Sequence, residues 1–153
     1  MPYATVQQMI DRLGAREATA LSDRAGVGTP DTAALQRALD DASAEMDGYL
    51  GRRYALPLAS RAGVVLSTTP VELRTACIDI ARYRMTGTEV METEGIRARF
   101  KDATAWLQAA AEGRVQIAAG NLQLSSAGNP AAVGGASAVR TPARTFGALE
   151  GML

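Results

Sequence analysis

Between Thr5 and Gly113 the chain repeats one pattern: a capping residue, an apolar stripe at three- and four-residue spacing, and a closing glycine. That pattern selects helices. Thr5 with Gln8 three residues later is a capping box, opening a short helix through Val6, Met9, Ile10 and Leu13 that Gly14 closes. One or two further helical turns run from Arg16 to Ser22. After a loop marked by Gly26, Gly28 and Pro30, Thr29 is the expected cap of a longer helix with Pro30 at its first position. Its stripe is Leu35, Leu39, Ala42, Met46, Tyr49 and Leu50, and Gly51 ends it. The sharpest start signal is Thr69-Pro70-Val71-Glu72, read as cap, first residue and capping-box acid. Leu73, Ala76, Cys77, Ile80 and Tyr83 follow as a buried face until Gly87. A last helix begins near Thr93 and presents Ile96, Phe100, Ala103, Leu107 and Ala110, with Trp106 on its flank. From Arg114 to Leu124 the period changes. Val115 and Ile117, then Leu122 and Leu124, alternate around Gly120-Asn121 and predict a short β-hairpin. The expected fold is all-α, a small bundle of about four helices carrying that hairpin and an extended C-terminal arm.

The arm follows from composition. Ser125 to Leu153 holds seven Ala, five Gly, three Ser and two Pro in 29 residues, with Arg140, Arg144 and Glu150 its only charges. Such a segment buries too little apolar surface to offset its own ordering entropy. Residues 1–124 are therefore the expected folded domain, and 125–153 a linker and arm. The arm ends in a block unlike its linker: Arg140, Arg144, Phe146, Leu149, Met152 and Leu153. Two guanidinium groups and four sizeable apolar side chains suit a peptide that anchors in a partner's groove, with Phe146 as its hot spot; the alternative is an arm that folds back onto its own or a neighbouring subunit.

Balance of charge narrows the function. Sixteen Lys and Arg face sixteen Asp and Glu, which argues against a binder of nucleic acid or anionic membrane acting through bulk charge. All the basic residues but Lys101 are Arg, whose planar fork favours paired protein contacts. With no His, the usual general base and the commonest metal ligand are missing, and the single Cys excludes an internal disulfide and a thiolate zinc site. No catalytic residue, metal or cofactor is expected. No apolar run reaches the roughly 18 residues of a membrane span, and no targeting segment is expected at the N-terminus. The loop from Asp23 to Asp31 lacks the features of a phosphate or calcium loop, and Cys77 reads as a small buried hydrophobe. Asp79 and Arg82, three apart on a helix, are expected to pair locally, with an intersubunit bridge as the alternative.

Signs are segregated along the chain. Asp40, Asp41, Glu45 and Asp47 crowd one helix, whereas Arg74, Arg82 and Arg84 crowd another. Like-sign crowding calls for opposite charge nearby, so these residues are the expected subunit interface, with some pairs closing within a subunit. Arg52 and Arg53 leave the acidic helix at Gly51, either toward a contact with another subunit or partner protein or toward Asp47 or Asp79. Leu56-Pro57-Leu58 should run extended over the bundle and pin the loop before Thr69.

The run from Asp41 through Met46, Asp47, Tyr49, Leu50, Arg52, Arg53 and Tyr54 to Leu56-Pro57-Leu58 resembles the hallmark of the Mu-like phage and prophage gp36 family. So do the opening Tyr3 to Leu13 and the later Ala76 to Arg84. The resemblance covers most of residues 1–118. It departs at Asp23, where relatives often carry more Asp, so no ion site is carried over. That family is similar to the head-tail connector, or adaptor, proteins of long-tailed phages. The resemblance implies a structural virion protein: a ring, by analogy dodecameric, docked beneath the portal, extending the DNA channel and offering a surface to the next neck or tail-completion protein. Genomic DNA would pass through the lumen without sequence-specific binding. The implied location is the virion neck, after assembly in the host cytoplasm. The alternatives are a stopper or tail-completion protein of the same neck and, further off, a nucleic-acid-binding module, which would require the Arg side chains to cluster once folded.

Overall fold

The computed structural model describes residues 2–87 and 91–125. Five helices follow in order: α1 (Val6–Leu13), α2 (Ala15–Ser22), α3 (Thr32–Leu50), α4 (Val71–Thr86) and α5 (Glu94–Ala111), then a 3-10 turn at Ala118–Gly120. Both halves of the Thr5–Gln8 capping box form. The turns expected after Arg16 make a complete helix, because Gly14 adopts φ 85°, open to glycine at little cost, and redirects the chain. At α5 the Thr93 hydroxyl accepts the Ile96 amide as expected.

Two caps differ from expectation. Asp31, not Thr29, caps α3, its carboxylate accepting the amides of Ala33 and Ala34. Helix α4 begins at Val71 with Pro70 as cap and no side-chain cap bond. Glu72 then stands two residues after the cap rather than three, so the Thr69–Glu72 box does not form.

α3 and α4 are the centre of the molecule. Leu35, Leu39, Met46 and Leu50 of α3 have no exposed surface, nor do Leu73, Cys77 and Ile80 of α4, Leu107 of α5 and Met9 of α1. α4 is buried on more than its predicted stripe, since Ile78 and Asp79 are enclosed too. α5 covers one side of it and α2 another, while α1 packs on α2 and α3. Pro70 shares a groove with Asp47, and Met85 a cleft with Ala34 and Arg37, so α3 and α4 run antiparallel.

The predicted β-hairpin is absent among the described residues, which contain no sheet. Leu122 and Leu124 do occupy extended backbone, but their antiparallel partners are Ser60 and Tyr54. Ile117 and Leu122 are both core residues, and the 3-10 turn between them folds the chain onto the bundle instead of back on itself. Four backbone bonds tie the two segments: Ser125 N to Arg53 O at 2.8 Å, Ala55 N to Gln123 O at 3.0 Å, Gln123 N to Ala59 O at 2.8 Å, and Arg61 N to Asn121 O at 3.0 Å. Leu58 is buried and its carbonyl accepts the Leu66 amide, so the Leu56-Pro57-Leu58 segment does pin the following loop.

Candidate functional site

Charged side chains divide into those that clamp the bundle and those that face outward. Arg12 of α1 reaches buried Asp79 of α4 at 3.1 Å. Arg82 pairs with Glu17 of α2, and Arg84 with Glu45 of α3 at 2.9 Å. The local Asp79–Arg82 pair expected from spacing is therefore not made. α4 is surrounded, so side chains three residues apart are claimed by different neighbouring helices. Of the expected interface residues, Glu45, Arg82 and Arg84 are thus paired within the subunit. Arg84 also lies over the Phe100 ring at 5.6 Å, and that ring stacks on Tyr83.

Asp40 and Asp41 are exposed on α3; Asp40 accepts from Gln36 at 3.0 Å, and Asp41 lines the cleft beside the 23–31 loop. Asp47 accepts the Tyr3 hydroxyl. Burial first, and then the neighbouring Asp47 carboxylate, push the Tyr3 phenol far above its ordinary pKa. Arg52 is exposed and Arg74 half-buried. Arg53 closes on neither Asp47, which holds Tyr3, nor Asp79, which holds Arg12; its guanidinium lies against Gly113. The arm residues Arg140, Arg144, Phe146, Leu149, Met152 and Leu153, and the 125–153 segment beyond Ser125, lie outside the described residues.

The remaining chemistry is structural. The Cys77 thiol has no exposed surface and sits 3.5 Å from the Ser43 hydroxyl, and burial raises its pKa. Asp23 folds its own loop: the carboxylate accepts the amides of Val27 at 3.0 Å and Gly28 at 2.6 Å, which hold its pKa below the usual range. Among the described residues no group of three His, Cys, Asp or Glu is placed to hold a metal, and no helix is long and apolar enough to cross a membrane. Sequence reasoning missed three contacts: Tyr3 to Asp47, Arg12 to Asp79, and Arg53 to Gly113. The first two join α3 or α4 to the chain's first dozen residues. No local spacing announces such a pair.

The family described as Bacteriophage Mu, Gp36 matches residues 3–134. The chain is 33% identical over 115 residues to gene product J of Escherichia phage Mu, an alignment covering 74% of each protein. It is 36% identical over 87 residues to the Mu-like prophage FluMu protein gp36 of Haemophilus influenzae, covering 57% of this chain and 55% of that one.

Proposed function

The chain belongs to the bacteriophage Mu gp36 family, and from that premise we propose that it is a structural virion protein, the head-tail connector that forms a ring beneath the portal. The observation that carries this reading is the extent of the match, which takes in all five helices and the segment that follows them. The geometry supports a building block: Arg12–Asp79, Arg82–Glu17 and Arg84–Glu45 brace the helices against one another, while Asp40, Asp41 and Arg52 stand outward. In the proposed ring, by analogy dodecameric, the outward carboxylates Asp40 and Asp41 meet a neighbouring copy. The arm block from Arg140 to Leu153 docks on the portal, and the opposite face receives the next neck protein. The role is non-enzymatic, in the virion neck, with the genome passing through the lumen.

Electron microscopy of the purified full-length chain, alone and mixed with the portal protein of the same phage, tests this. Rings that stack on the portal are the expected result. A chain that stays monomeric at high concentration and ignores the portal would overturn the proposal.

A further inference from the structure

We propose that the end of the bundle built from residues 48–71 and 113–125 is a sequence-independent binding surface for the phosphate backbone of duplex DNA, with Arg52, Arg53, Arg61 and Arg114 as its cations. The starting point is an uneven distribution that the zero net charge conceals. No Asp or Glu occurs between Asp47 and Glu72, or between Glu112 and Ser125, yet these two stretches hold four Arg. The carboxylates that border these stretches are Asp47, Glu72 and Glu112.

Folding brings the two acid-free stretches together. Ser125 bonds to the Arg53 carbonyl and Asn121 accepts the Arg61 amide, so Arg53 and Arg61 mark the two ends of one backbone pairing. On the 121–125 side that pairing spans about 13 Å at the rise of an extended chain. The Arg53 guanidinium lies against Gly113, beside Arg114. Arg52, Arg61 and Arg114 are exposed. Among the described residues Arg52, Arg53 and Arg61 have no carboxylate partner; Arg114 shares exposed Glu112, and the Asp47 carboxylate is taken by Tyr3. Glu72, at the start of α4, is the other acid bordering this end. Gln116, Asn121 and Gln123, in the same acid-free stretch as Arg114, are exposed, and neutral amides of this kind hydrogen-bond phosphate and sugar.

Charge density favours a nucleic-acid partner over an acidic protein face. A duplex offers one negative charge per about 1.7 Å of axis, both strands counted, hence roughly eight along an edge of about 13 Å. Protein carboxylates packed that densely would repel one another. Tyr54, the aromatic side chain within the Arg-bearing segment, is buried, so stacking on unpaired bases is not offered and the contact is to backbone. The inference rests on the connector reading for the presence of the duplex.

Fluorescence anisotropy of the full-length protein with a short random-sequence duplex tests it, alongside the variant R52Q/R61Q/R114Q. Arg53 is left in place because it packs on Gly113. Four phosphate contacts give a log–log salt slope of about −3.6, a loss of roughly a hundredfold in affinity between 50 and 200 mM salt. The variant is expected to bind at least tenfold more weakly at the lower salt, with a slope shallower by about 2.7. Variant binding equal to wild type, or no salt-dependent binding by the wild type, overturns the proposal. So does a variant that loses ring assembly when neither protein binds duplex, since the arginines would then face a protein. If the wild type binds duplex through these residues and forms no ring, the surface stands and the connector reading falls.

Discussion

The Arg53 guanidinium occupies the space that a Cβ on Gly113 would need, its Nη1 and Cζ lying closest to that position. Gly113 also has φ 77°, a region that costs an L-residue roughly 1–2 kcal/mol. Gly113→Ala is therefore expected to destabilise the fold by about 1–3 kcal/mol once the displaced guanidinium is added. Combining it with Arg53→Ala removes the steric part, so urea unfolding of the two single variants and the double should show non-additivity; strict additivity would refute the contact.

Asp79 is buried and its partner Arg12 is about one-third exposed. Arg12→Ala strands a carboxylate in the core and should cost about 1–3 kcal/mol, below the full figure for a buried pair because water reaches the guanidinium. Replacing both, as Arg12→Met with Asp79→Leu, should recover most of the loss. Thermal unfolding of the three proteins checks the order.

Tyr3 gives the fold a component that depends on alkaline pH. The phenol's pKa is raised in the folded state from an ordinary 10.0, so folding favours the protonated, neutral form. That contribution is complete below pH 10 and is lost progressively as pH rises above it. Tyr3→Phe should start about 1 kcal/mol less stable, through loss of the bond to Asp47, and then show a flatter decline above pH 10. Parallel stability curves for the two proteins would remove Tyr3 as the cause.

For assembly, the two outward carboxylates differ from the two already engaged within the subunit. Charge reversal at Asp40 and Asp41 should lower ring yield and leave the melting temperature within a few degrees, whereas reversal at Glu45 should mainly weaken its clamp to Arg84. Native mass spectrometry with calorimetry separates the two effects. Ring yield unchanged by Asp40→Lys with Asp41→Lys would move the interface elsewhere.

A chain ended after Ser125 keeps the amide that bonds Arg53 and should fold with helices α1 to α5 in place. If the Arg140 to Leu153 block is the docking arm, the shortened chain loses portal binding in a pull-down. Retention of full binding would exclude that role.

Local signals in the sequence were informative where a structure is made by neighbours. Thr5 with Gln8, Thr93 before Ile96 and Gly87 after Thr86 all act within one helical turn, and each does what its spacing implies. Competition between adjacent candidates was harder: Thr29 and Asp31 both suit a cap, and the two-acceptor carboxylate took the position. Alternation at Leu122 and Leu124 revealed extended backbone but carried no information about its partner, which lies more than sixty residues away at Tyr54 and Ser60. Helical spacing likewise placed Asp79 and Arg82 near each other without telling which other helices stood closer. The cluster of Arg52, Arg53, Arg61 and Arg114 was hidden by the same distance: a balanced total of charge says nothing of how folding sorts it.

The pairing of residues 53–61 with 121–125 also has a mechanical meaning. Whatever is attached beyond Ser125 is fastened to the bundle at the end of α3, not at the end of α5, the helix that precedes it in the chain. Tension applied along the 121–125 segment is shared as shear by bonds at Arg53, Ala55, Ala59 and Arg61, all of which must yield together. A shear joint of this kind resists far more force than one opened bond by bond, and it delivers that force to α3 and α4, the best-buried helix pair among the described residues.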